Sequence, residues 1–211
     1  MKPARLAGFL SSACCRLRFF TIAIMASSLG IAGSVLPLGV CAASSSGATA
    51  EAPVDLSPGG NYAAGITVRI PGQGWSFQVP AQWHATVFED AELPFLISDE
   101  GRSMGMMFPL AHATAEDIES ELAQPLSLSQ GVVFVPTGGL TRTESRLRRS
   151  YVSEATAGRA LGVKGPADQW IIYFLMGPDD ESGTFDSVLD QLADSTQFDI
   201  QDGGSHPREG I

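Results

Sequence analysis

The sequence predicts an α+β protein in which a mainly antiparallel β-sheet is flanked by helices, an α/β/α sandwich. Short segments with alternating apolar residues follow one another with turn residues between them, as expected for strands joined by hairpins. Two separate segments, near residues 114–124 and 184–193, instead carry apolar residues at helical spacing. Sequential hairpins with two separated helices are typical of the α+β class.

The first strands are predicted between residues 66 and 108. Apolar residues alternate in the first two of these segments, which end at Pro71 and Pro80. Trp83 follows the second strand after one turn. The predicted strands are Ile66–Ile70, Trp75–Val79, Phe95–Ser98 and Ser103–Phe108.

A first helix is predicted after Thr114, which is a good N-cap residue. Acidic residues follow in the first turn, where they complement the positive end of the helix dipole. Ile118 and Leu122 form a narrow apolar stripe, and Pro125 ends the helix.

A meander of strands is predicted next. The last strand, Gln169–Met176, is almost continuously apolar, so we expect it to be central and covered on both faces. A second helix follows a polar loop, with apolar residues at i, i+3, i+4 and i+7. Its apolar residues are Phe185, Val188, Leu189 and Leu192, and Phe198 is expected to close the core. The earlier strands of the meander are Gly131–Val135, Leu140–Glu154 and Gly158–Val163.

Residues 66–200 resemble PsbP-like and DcrB-like domains. The resemblance rests on a strand that runs from Trp75 into Val79-Pro80-Ala81-Gln82-Trp83, and on the order of the elements that follow. It implies an α/β/α sandwich around an antiparallel sheet, in a class whose members mostly bind or scaffold. The resemblance carries over no catalytic residues.

The first fifty residues are typical of an export signal. They hold four basic residues and no acidic one, with an apolar run from Phe19 to Val40 and a small-residue exit at residues 40–43. We expect a signal peptide over residues 1–43. Two alternatives remain open: lipid attachment at Cys41, which follows a lipobox-like Leu38-Gly39-Val40, and an uncleaved membrane anchor.

The remaining chain is predicted to hold one domain at residues 66–200. Residues 44–65 and 201–211 are rich in small residues and lack periodicity, which favours a flexible linker and a disordered tail. Removing the leader leaves nine Lys and Arg against 23 Asp and Glu, a net charge of −14. Such a charge disfavours binding to nucleic acid or to anionic lipid. All three cysteines (Cys14, Cys15 and Cys41) lie in the leader, so cleavage leaves no thiol for catalysis or metal binding.

The one basic cluster is the candidate binding site. If residues 140–154 form one strand, three arginines share a face while Arg149 points the other way with Tyr151. Guanidinium groups on one sheet face are suited to a carboxylate, a phosphate or an acidic partner. The alternative is a solvated strand whose arginines neutralise the domain's own acids. The cluster consists of Arg142, Arg146, Arg148 and Arg149.

Candidates for chemistry are weaker. His84 precedes Glu89, Asp90 and Glu92, but metal-ligand spacing is missing, and we expect neither a metal site nor a cofactor. Gly101–Gly105 matches the Gly-x-Ser-x-Gly pattern around Ser103, yet a strand rather than a helix is predicted to follow, so we expect no catalytic residue.

These observations predict an exported, non-enzymatic accessory or binding protein of the bacterial cell envelope, periplasmic or secreted. Its partner is expected to be a protein or a small anionic ligand, with no nucleic acid. Membrane contact is expected only through an uncleaved signal or an acylated Cys41. The alternatives are a lipid-anchored envelope protein and a hydrolase with an unrecognised site.

Overall fold

The apolar strand predicted near the end of the chain is the middle strand of a nine-stranded sheet. The computed structural model describes residues 52–199 except residues 90, 92, 129, 130 and 155. The predicted signal peptide, Cys41 and the predicted tail lie outside the described residues.

The nine strands of the large sheet pair antiparallel throughout. In spatial order they are β2 (Asn61–Tyr62), β5 (Trp83–Thr86), β6 (Phe95–Ser98), β7 (Met104–Leu110), β12 (Trp170–Pro178), β11 (Thr156–Lys164), β10 (Arg146–Ser153), β9 (Val133–Arg142) and β8 (Leu126–Ser127). Residues 170–175 of β12 are all buried, as the prediction of a strand covered on both faces required.

A smaller four-stranded sheet packs on one side of the large sheet. Its order is β1 (Val54–Asp55), β3 (Thr67–Ile70), β4 (Trp75–Gln78) and β13 (Gln197–Phe198). The first pair is parallel and the others are antiparallel. Trp75 and Phe77 of β4 pack against Tyr173 of β12, with ring centroids 6.3 Å apart in both pairs.

Two helices flank the large sheet on opposite faces, which confirms the predicted α/β/α arrangement. Helix α1 (Ala115–Leu122) buries Ile118 and Leu122 in a core with Phe174 and Tyr151. Helix α2 (Ser182–Ser195) follows a short 3-10 helix (Asp179–Glu181). Its four predicted apolar residues are all buried, in the core shared with the small sheet.

The start of α1 has the predicted cap. The Asp117 backbone N–H donates to Thr114 Oγ1 over 3.2 Å, and the Thr114 backbone N–H donates to Asp117 Oδ2 over 2.9 Å. This reciprocal pair is a capping box, and it satisfies N–H groups that the helix itself leaves free. Within the described ranges, neither helix has the length and apolar character needed to cross a membrane.

The predicted strand Leu140–Glu154 is in fact two strands. The chain reverses at residues 143–145, where the Arg146 backbone N–H donates to Thr143 Oγ1 and the Thr143 N–H donates to the Arg146 carbonyl. A threonine side chain can close a turn in this way without Gly or Pro, which is why the composition did not reveal it. Leu140–Arg142 instead continues the strand predicted at Gly131–Val135.

Ordered structure begins earlier than the predicted boundary at Ile66. Residues 54–62, assigned above to a flexible linker, contribute one strand to each sheet, with Leu56 and Tyr62 buried in the core. Val54 pairs with Val68 in parallel. Such pairing depends on a partner strand elsewhere in the chain, so local composition could not indicate it.

Candidate functional site

An apolar pocket opens beside the C-terminal end of α1, between the helix, the edge strand β8 and the inner strands of the large sheet. Its cavity volume is about 40 Å³, which is more than one buried water needs. A short apolar group therefore fits, and a large ligand does not. The lining residues are Phe108, Leu110, Glu121, Leu122, Gln124, Pro125, Leu126, Tyr151, Ala160, Ile172 and Phe174. We call this the α1 pocket.

Tyr151 connects the pocket to the end of the helix. Its side chain is buried, and its hydroxyl donates to the Leu122 carbonyl over 2.8 Å. That bond satisfies one of the carbonyl groups that a helix leaves free at its end. Burial raises the pKa of Tyr151 to about 12, against a smaller opposing effect of the Arg149 charge. The phenol therefore stays neutral at ordinary pH and acts as a hydrogen-bonding group.

Arg149 lies next to the same pocket. Its β10 position faces the α1 side of the sheet, two residues before Tyr151, and its Cα is paired across the ladder with Ala160, a lining residue. The side chain is half-buried. Its Nε atom is buried and has no hydrogen-bond partner among the described residues. Arg149 is thus a cation beside an apolar pocket.

The other three arginines do not share one face, contrary to the single-strand arrangement that the sequence predicted. Arg142 lies on β9, opposite Leu147, and therefore faces α1. Its guanidinium contacts Glu119 and lies 3.8 Å from Glu116. Arg146 and Arg148 lie on β10 and face α2.

Arg146 and Arg148 meet a row of aspartates along α2. Arg148 donates to Asp186 over 3.1 Å and to Asp190 over 2.6 Å, and Arg146 donates to Asp194 over 2.5 Å. The three carboxylates are spaced by four residues and so share one helix face. An external anion could bind these two arginines only by displacing the carboxylates that already neutralise them. The three nearby carboxylates would also repel that anion.

The Ser103 hydroxyl is hydrogen-bonded to a carboxylate rather than to a histidine. It is buried beside Gly177, and its hydroxyl donates to Glu181. Arg102 in turn lies 3.0 Å from Glu181 and 3.2 Å from Asp180. In the described part of the chain, no histidine is hydrogen-bonded to Ser103. The contact ties the β6–β7 turn to the start of α2, which is a structural arrangement and not that of an activated nucleophile.

His84 lies on β5, opposite Ile97 of β6. Its Nδ1 atom is 3.8 Å from Asp99, which is too long for a hydrogen bond. Asp90 and Glu92 lie outside the described residues. Among the residues that are described, no three His, Cys, Asp or Glu side chains come together in a way that could hold a metal ion.

The pocket itself was missed from the sequence. The sequence places Tyr151 with Arg149, on the face opposite to the other three arginines, and Leu122 on the apolar stripe of α1. Nothing local indicates that a gap remains between Tyr151 and Leu122. A gap depends on the spacing between packed elements, which no sequence period reports.

Comparisons with known proteins bear on the fold alone. The chain is similar to the cyanobacterial PsbP protein CyanoP from Synechocystis, with 12% identity and a TM-score of 0.40, over 63% of this chain and 91% of that one. It is also similar to the Ran-binding protein Mog1p of Saccharomyces cerevisiae, with 8% identity and a TM-score of 0.39, over 63% of this chain and 94% of that one. No family model and no curated protein matches the sequence.

Proposed function

We propose that this protein is an exported, non-enzymatic accessory protein of the bacterial cell envelope, periplasmic or secreted, which binds a ligand in the α1 pocket. The observation that carries the proposal is the pocket itself, an apolar concavity open to solvent between α1, β8 and the sheet. Binding sites for small groups are usually of this kind, mostly apolar with a few polar groups that fix orientation.

The chemistry of the lining favours binding over catalysis. Its polar groups are Glu121, Gln124 and the Tyr151 hydroxyl, and the last already donates to a helix carbonyl. An apolar group that enters the pocket is stabilised by roughly 25 cal/mol for each Å² of surface removed from water. The hydrophobic effect alone therefore gives weak binding, which a nearby charge can strengthen.

The export part of the proposal is tested by the intact mass of the protein recovered from envelope and medium fractions. Cleavage near Ala42 or Ala43 gives the mass of a chain that contains no cysteine. Acylation at Cys41 instead gives the mass of a chain that begins at this cysteine and carries the lipid. Cys41→Ser is the matched control, because it removes only the second outcome. An untrimmed chain with three free thiols in the cytosol would contradict export.

The binding part is tested with hexanol as a minimal apolar ligand, by amide and methyl chemical shifts of the mature protein. We expect shifts concentrated at the α1 pocket in the wild type. Ala160→Leu should fill the pocket and Leu126→Glu should place a charge at its mouth, and each should weaken binding about tenfold. Ile66→Glu is the matched control, since Ile66 is also a partly exposed apolar residue but does not line the pocket. Shifts scattered over the surface, or unchanged in both pocket variants, would refute the site.

A further inference from the structure

The four arginines of the basic cluster differ in one respect. Arg142, Arg146 and Arg148 each contact acidic side chains. For Arg149, by contrast, no acidic partner within 4 Å is found in the described residues, and its Nε atom is buried without a hydrogen bond. A buried donor without a hydrogen-bond partner lowers the stability of the fold, and more so when the group is charged. Such a cost calls for an explanation at this position.

We propose that the α1 pocket binds a short apolar carboxylate, whose chain occupies the pocket and whose carboxylate pairs with the Arg149 guanidinium. This inference rests on the proposed function and names the ligand class of the same site. It assigns a role to the one arginine of the cluster that the protein's own described acids leave without a partner.

The placement of Arg149 supports this assignment. Ala160, on the wall of the pocket, is its partner across the β10–β11 ladder, and Tyr151 is its neighbour along the same strand face. The Arg149 charge also lowers the pKa of Tyr151, against the larger effect of burial, which is consistent with this placement. The Arg149 backbone therefore adjoins the pocket wall, at a distance that an arginine side chain can span.

The strand next to Arg149 is irregular on the β9 side. The β9–β10 ladder has an irregularity here: Arg148 pairs with Thr141 and Ser150 with Thr137, so Arg149 alone lies opposite three residues of β9. Two of them are Gly138 and Gly139, and an added Cβ at either would meet no atom within 4 Å. The irregularity thus leaves open space around these two glycines, on the strand next to Arg149, and bulges are over-represented next to binding and active sites.

The charges of the site favour a single negative charge on the ligand. Glu121 also lines the pocket, and its carboxylate repels a multiply charged group such as a phosphate dianion more strongly than a carboxylate. A carboxylate also matches the planar guanidinium, with which it can form two parallel hydrogen bonds. The limited space favours a ligand with a short chain.

The test compares hexanoate, hexanol and hexylammonium, which share one chain and differ in charge, by chemical shifts and calorimetry on the mature protein. We expect hexanoate to bind about tenfold more tightly than hexanol, and hexylammonium to bind more weakly than hexanol. Arg149→Gln should remove the advantage of hexanoate and leave hexanol binding unchanged, while Arg149→Lys should keep part of it. Arg159→Gln is the matched control, since Arg159 lies on the next strand but faces α2 and donates to the Gly158 carbonyl.

The outcomes separate the two proposals. Equal binding of hexanoate and hexanol, or an advantage of hexanoate that survives in Arg149→Gln, overturns the carboxylate site and leaves the apolar site standing. Absence of pocket shifts with every compound overturns both. A tripeptide ending in leucine, with a free or an amidated C terminus, identifies the source of the carboxylate. If the free-acid peptide binds more tightly than hexanoate, the carboxylate site is supported and its ligand is the C-terminal end of a polypeptide. If hexanoate binds more tightly, the site is supported and its ligand is a small free acid.

Discussion

At the scale of single residues, the absence of a side chain at Gly177 allows the Ser103 hydroxyl to reach its hydrogen-bond partner. A Cβ at position 177 would lie 2.1 Å from Ser103 Oγ and 3.1 Å from the Phe185 ring. Only glycine leaves room for the serine hydroxyl to reach Glu181. The match of residues 101–105 to a nucleophile pattern is therefore coincidental, because the hydroxyl serves a contact between the β6–β7 turn and α2.

Gly177→Ala is expected to lower the free energy of unfolding by about 1–3 kcal/mol, since overpacking forces Ser103 and Phe185 to move. Gly183→Ala is the control: Gly183 lies in α2, where an added Cβ meets nothing within 4 Å. There the substitution should raise the free energy of unfolding by up to about 1 kcal/mol. Urea unfolding of both variants measures the difference, and equal stability of Gly177→Ala and wild type would count against the packing argument.

At the scale of elements, the row of aspartates on α2 joins the helix to β10. The Arg148 side chain is 27% exposed and contacts two aspartates, whereas the Arg142 side chain is 50% exposed and contacts α1 from the edge of β9. Partial burial reduces solvent screening, so the same type of ion pair is worth more at Arg148. Arg146 and Arg148 of β10 thus contribute to the α2 interface, where they neutralise the domain's own acids, as in the alternative that the sequence left open.

Arg148→Gln is expected to lower the free energy of unfolding by about 1 kcal/mol, and Arg142→Gln by no more than about 0.5 kcal/mol. The difference between the two variants should shrink in 1 M salt, where the Debye length falls to about 3 Å. Chemical unfolding at low and high salt provides the measurement. A larger effect at Arg142 than at Arg148 would contradict the burial argument.

The elements themselves were largely predictable from the sequence. The cap at Thr114, the stripe of Ile118 and Leu122, and the central apolar strand depend on neighbours within one or two turns, and all three are confirmed. The turn at residues 143–145 was missed, because a threonine side chain closes it. Consequently the arginines were placed on one strand when they belong to two.

At the scale of the whole molecule, two buried phenols lie on opposite faces of the large sheet. Tyr151 packs on the α1 side and Tyr173 on the α2 side, where its hydroxyl is 2.7 Å from Thr196 Oγ1. Burial raises the pKa of both residues above that of an exposed tyrosine, to about 12 for Tyr151. The folded protein therefore keeps both protons at a pH where the unfolded chain loses them.

Alkaline pH should accordingly destabilise the fold. Because the unfolded chain releases protons near pH 10 and the folded chain only at higher pH, the free energy of unfolding is expected to fall as pH rises from about 10 to about 12. Tyr151→Phe should make this decline shallower, while lowering stability by about 0.5–1.5 kcal/mol at pH 8 through the lost hydrogen bond. Urea unfolding at a series of pH values tests both statements. An equally steep decline in the variant would show that Tyr151 does not contribute.

The sequence by itself determined the α+β class, the two helices and most strands, since periodicity and capping act between residues close in the chain. Only the tertiary structure decided that residues 54–62 join the sheets, that Arg142 faces α1 while Arg146 and Arg148 face α2, and that Arg149 adjoins a pocket. These features arise where distant segments meet. Their geometry is set by packing between elements, which the order of residues along one segment does not contain.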